Sequence, residues 1–146
     1  MKKNNKGFSL VELIIVIAIM AILAGALAPA LIKYIAKSRR STDVSNAQTI
    51  ATAVTNALSV EKAYDDATGG ASYMVSNSAK TGQVSSVGNE SGSFASEVNS
   101  QLGSAVYKPK YDKGQQFRIN LGPDKASFTI DVHGSELYPD VCDAYK

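Results

Sequence analysis

The chain is poor in the groups that carry chemistry. Its 146 residues include one cysteine, Cys142, and one histidine, His133. One thiol cannot close an internal disulfide, so the folded part is held by packing alone. Cys142 itself reads as a buried small apolar residue rather than a reactive or intermolecular thiol. No paired nucleophile and base, no phosphate-cradling glycine loop and no zinc spacing occurs, so no enzyme and no cofactor is expected. His133 reads as a solvated residue at a strand end. Asp65, Asp66, Asp140 and Asp143 carry oxygens suited to calcium, but their spacing fits no calcium loop, and no metal site is expected. Net charge is small at +2, and Lys2, Lys3 and Lys6 sit in the first seven residues; without those seven the charge falls to −1. That balance leaves no electrostatic footprint for nucleic acid.

The most informative absence is of charge. From Leu13 to Ile32, 20 residues pass without a formal charge. As a helix this run rises about 30 Å, the thickness of a bilayer's hydrocarbon core. One carboxylate, Glu12, stands at its entry. An acid in hydrocarbon costs about 2.5–3.5 kcal/mol on insertion scales, so Glu12 is expected to meet a positive partner. The lysines before it read as the signal that keeps residues 1–7 cytoplasmic and sends the bulk of the chain outward.

Lys6-Gly7-Phe8-Ser9-Leu10-Val11-Glu12-Leu13, followed by the uncharged run, resembles the N-terminus of a type IV prepilin. The resemblance covers roughly the first 55 residues and, beyond them, only the layout. It implies cleavage by a membrane prepilin peptidase after Gly7 and N-methylation of the new first residue, Phe8. It also implies pairing of Glu12 with the N-terminal amine of a neighbouring subunit. The partners implied are further copies of the chain in a helical filament, the peptidase, the pilus assembly machinery and, before assembly, membrane lipid. The implied location is the cytoplasmic membrane first and an extracellular pilus afterwards. The resemblance, rather than the loop charges, sets this orientation, because Lys33, Lys37, Arg39 and Arg40 follow the span and oppose the simple charge rule. The single cysteine departs from the many Gram-negative pilins that close a C-terminal loop with a disulfide, and favours a Gram-positive or otherwise disulfide-poor source.

Two other readings share parts of this pattern. An ordinary secretory signal would be cut at Ala26-Leu27-Ala28, leaving Pro29 first. The long apolar run, the acid at its start and the proline just after that junction count against it. A pseudopilin of a type II secretion or competence system has the same N-terminus and processing. A calcium-dependent C-terminal loop would favour secretion, and no such loop is evident.

The expected fold is α+β, with a long N-terminal spine helix packed on a small antiparallel sheet. The divisions are residues 1–7 as leader, 8–32 as membrane and filament-core helix, 33–62 as an amphipathic half and 63–146 as a head. Val44, Ala47, Ile50, Ala51, Val54, Ala57 and Leu58 recur at helical period, and neither Pro nor Gly interrupts residues 31–67. Gly25 and Pro29 fall inside the apolar half and mark a kink or a local extension. Residues 67–92 are rich in Gly and Ser and read as a surface excursion, with a short strand near Ser72–Val75. Asn89-Glu90-Ser91 matches a glycosylation tripeptide that is not expected to be used. Phe94, Val98 and Leu102 mark one face of a short helix stopped by Gly103. Ala105-Val106-Tyr107 begins a candidate strand. Phe117–Leu121 and Phe128–Val132 alternate apolar and polar about the turn Gly122-Pro123-Asp124-Lys125, which predicts a hairpin lying against the helix stripe. The tail from Gly134 is expected to be irregular, anchored by Leu137, Tyr138 and Val141.

Overall fold

A computed structural model describes residues 8–75, 84–86 and 92–146. The chain divides into two compact units, Met1–Ala36 and Lys37–Lys146. One helix, α1 (Leu10–Leu58), contributes to both. The leader, including Gly7, and the Asn89-Glu90-Ser91 tripeptide lie outside the described residues.

In the first unit, α1 is apolar and exposed on all sides. Its large side chains are open to solvent, from Leu10 at 73% to Ile32 at 68%. The helix is continuous through Gly25 and Pro29. Proline has no N–H, so the bond that would run from position 29 to the Gly25 carbonyl cannot form. The helix is therefore weakest over this one turn, where its acceptor is glycine and its missing donor is proline.

In the second unit, α1 buries one stripe. Ala47, Ile50, Ala51, Ala53, Val54 and Ala57 enter the core, and Val44 and Leu58 pack at its margin. The opposite face carries serine and threonine, which are weak helix formers. Thr42, Thr49, Thr52, Thr55 and Ser59 each donate a hydroxyl to the carbonyl four residues earlier, which satisfies them within the helix. The expected continuation to about Lys62 does not occur. The Ser59 and Val60 amides donate to carbonyls three residues back, at 3.1 Å each, which tightens the last turn. Val60 is extended (φ −90°, ψ 116°), and a separate short helix, α2 (Glu61–Asp66), follows.

Five strands form one antiparallel sheet: β1 (Ser72–Val75), β2 (Val84–Ser86), β3 (Phe117–Leu121), β4 (Phe128–Val132) and β5 (Ser135–Tyr138). Their order is β2-β1-β3-β4-β5. The predicted hairpin is present, with Ile119 opposite Ile130 and Phe117 opposite Val132. Tyr73, Val75, Phe117, Ile119, Leu121, Ile130, Val132 and Leu137 share the core with the α1 stripe. The third helix, α3 (Ser93–Leu102), adds Phe94, Ala95, Val98 and Leu102. Tyr73 and Phe94 meet with ring centroids 4.8 Å apart. On the sheet's other face, Ser72 Oγ donates to Asn120 Oδ1 at 2.7 Å, and Asn120 Nδ2 donates to Asp131 Oδ2 at 2.6 Å.

Two further expectations need correction. Residues 105–107 form no strand. Val106 is exposed, both edges of β3 are already taken, and the following amides bond to a helix carboxylate instead. The tail is not irregular throughout. His133 (φ 52°) and Gly134 (φ 79°) make a two-residue left-handed turn that returns the chain as β5. Asp131 Oδ1 accepts the Gly134 amide at 3.0 Å across that turn. A single 3₁₀ turn, Asp143–Tyr145, follows. Leu137 is buried, and Tyr138, Val141 and Cys142 pack at the core margin.

Candidate assembly site

The N-terminal end of α1 brings Phe8, Ser9 and Glu12 together within one turn. Phe8 is 82% exposed. Ser9 stands just before the helix, and its carbonyl accepts the Leu13 amide at 3.2 Å. The Ser9 amide donates to Glu12 Oε2 at 2.8 Å. The acid thus satisfies one of the orphan donors at the helix start, as the glutamate of a capping box does, and it sits at the positive end of the helix dipole. The cap uses one carboxylate oxygen; the described residues supply no hydrogen bond to the other. Ser9-Leu10-Val11-Glu12 has the Ser-x-x-Glu spacing of that box, so a sequence signal for the cap existed beside the one for an intermolecular partner.

Sequence reading passes over Asp43. It is completely buried on the same side of α1 as Ala47, Ile50 and Val54. Its Oδ1 accepts the Lys110 amide at 2.6 Å and its Oδ2 the Tyr111 amide at 2.9 Å. Placement at i, i+4, i+7 and i+11 with those apolar residues was the available clue. Beside it, Arg40 lies 4.4 Å from the Tyr111 ring centroid and donates to Tyr111 Oη at 2.7 Å. Tyr111 and Tyr145 meet edge to face at 5.4 Å. Burial first, and then the nearby Asp43 carboxylate, push the Tyr145 hydroxyl up to about 12. That hydroxyl and Arg40 Nε are buried with no hydrogen-bond partner among the described residues.

The other polar candidates have structural occupations. Asp66 Oδ2 accepts the Phe94 amide at the start of α3 at 3.4 Å. Asp143 pairs with Lys146 Nζ at 2.8 Å, and that bond holds its carboxyl below the usual range. The Ala126 amide and then the Ser127 amide hold the Asp124 carboxyl low in the β3–β4 turn. His133 is exposed, with Nδ1 3.5 Å from Asp112 Oδ2. Among the described residues, no three His, Cys, Asp or Glu side chains assemble as a metal site.

Similarity to known proteins covers part of the chain. Residues 2–28 match the family model described as the prokaryotic N-terminal methylation motif. The type IV major pilin protein PilA of Myxococcus xanthus (strain DK1622) is 40% identical over 63 residues. That alignment covers 43% of this chain and 29% of the relative, so the chain spans under a third of that protein's length. No solved structure matches.

Proposed function

We propose that this chain, whose N-terminal segment is that of the type IV prepilin family, is a structural subunit of a type IV pilus filament. The observation that carries the reading is the first part of α1. It is apolar and exposed on every side, with one carboxylate at its N-terminal end, and such a surface needs lipid before assembly and other copies of itself afterwards. Prepilin peptidase cuts after Gly7, Phe8 becomes the methylated N-terminus, and the residue 8–32 helices bury one another in the filament core. The amine of an incoming Phe8 takes the Glu12 oxygen that the Ser9 cap leaves open. Pairing offsets the cost of burying the acid and sets the axial register. The cap survives cleavage, because Ser9 keeps its amide when Phe8 becomes the first residue. The Gly25–Pro29 turn, already one hydrogen bond short, is where the helix extends as subunits pack. The filament supports surface adhesion, motility or biofilm formation.

The test is Glu12→Ala. Variant chains are cut after Gly7 at the wild-type rate, as seen by N-terminal mass analysis, but yield few sheared surface fibres. Wild-type fibre yield from this variant would overturn the pairing role. A mature chain beginning at Pro29 would overturn the pilin reading altogether.

A further inference from the structure

Between Glu12 and Asp43 the chain holds no acid, yet Lys33, Lys37, Arg39 and Arg40 fall within eight residues just past the apolar run. Residues 33–40 therefore carry +4, whereas residues 41–146 carry −4, with eight Lys or Arg against twelve Asp or Glu. Arg40 is committed to Tyr111 and to the Lys146 carbonyl. Lys33, Lys37 and Arg39 are exposed and have neither a hydrogen bond nor an ion pair among the described residues. Tyr34, beside them in sequence, is 72% exposed. Three free cations and one amphipathic aromatic at the end of a span have the composition of an interfacial anchor. Their position opposes the charge rule for orientation, so a compensating role on that side is called for.

We propose that Lys33, Lys37 and Arg39, with Tyr34, bind the phosphate groups of anionic phospholipids in the leaflet opposite the leader and so fix the depth of the unassembled subunit. This rests on the reading that residues 8–32 wait in a bilayer. Each cation reaches the headgroup layer independently, and the lysine stems lie along apolar surface while their ammonium groups stay in the polar region. The tyrosine hydroxyl sits at the same level. Favourable contact with an anionic surface is worth about fivefold per cation, from roughly 1 kcal/mol each. The collar is then released when neighbouring copies replace lipid around α1.

The test is native mass spectrometry of the uncleaved full chain, released from detergent micelles doped with equal amounts of phosphatidylglycerol and phosphatidylcholine. The wild-type chain retains phosphatidylglycerol preferentially. Each of Lys33→Gln, Lys37→Gln and Arg39→Gln lowers that preference about fivefold, and the triple variant lowers it on the order of a hundredfold. The control pair Lys108→Gln and Lys113→Gln, exposed in the head, leaves it unchanged. The leader lysines stay in every chain and set a constant background. Undiminished preference in the triple variant overturns the proposal. So does a salt-sensitive dimer, lost in the triple variant and indifferent to lipid, which would assign the collar to the acidic head of another copy. Cleavage after Gly7 and fibre formation are scored in parallel. Failure there with lipid preference intact sinks the pilus reading and leaves the collar; normal cleavage and fibres without preference sink the collar alone.

Discussion

Replacing Asp43 by alanine removes the acceptor for two amides at once. Lys110 and Tyr111 donate to its two oxygens, and the carboxylate is wholly buried. A hydrogen bond to a charged group contributes about 1.5–3 kcal/mol, and a buried donor left without a partner costs about 1–3 kcal/mol. Against this stands the relief of no longer burying a carboxylate. The expected net loss is about 3–5 kcal/mol, a large share of the roughly 5–15 kcal/mol by which a domain is stable. Asp43→Asn keeps one oxygen acceptor and should lose about half as much. Urea unfolding of the full chain in detergent, followed by circular dichroism, measures both losses. Amide hydrogen exchange gives a local reading, because protection at Lys110 and Tyr111 should fall in the alanine variant before that of the β3 amides. An alanine variant within about 1 kcal/mol of wild type would refute the reasoning, as would an asparagine variant as damaged as the alanine one.

Three further outcomes are expected. A methyl group at Gly69 would run into the Pro123 backbone carbonyl, so Gly69→Ala should cost about 1–3 kcal/mol in the same unfolding assay, and wild-type stability would show that the loop yields freely. Tyr145 should titrate near 12, above an ordinary tyrosine near 10, in absorbance at 295 nm. The raised value means that the folded state holds the phenolic proton more tightly, so this contribution to stability is complete below about pH 10 and is lost as pH rises towards 12. Tyr145→Phe removes a buried hydroxyl that has no partner among the described residues, so it should be neutral or stabilising and should abolish the late titration; a large loss of stability would reveal a partner for that hydroxyl.

The sequence made the fold legible wherever one period dominated. The helical stripe from Val44 to Leu58, the alternation in β3 and β4, and the apolar face of α3 all appear where expected, because each buries one side against the same core. What remained hidden depended on pairing that no local pattern announces. The end of α1 turns on two serine and valine amides bonding three residues back. Strand β5 exists because a His-Gly turn accepts left-handed backbone, and its short alternation around Leu137 was too brief to stand out. Residues 105–107 read as the start of a strand, but the Lys110 and Tyr111 amides that follow them are claimed by Asp43, more than sixty positions away in sequence. At the candidate assembly site, Glu12 is conspicuous as a charge in apolar surroundings, which masks its local bond to Ser9.

The strand order also has a consequence for how the sheet forms. Strands β3, β4 and β5 succeed one another through short turns, whereas β1 reaches β3 only after some forty intervening residues. Closing short loops is entropically cheap, so the three consecutive strands can zip first and offer a finished border to which β1 attaches later. Length changes between Val75 and Phe117 should therefore slow the final docking while leaving that early nucleus untouched.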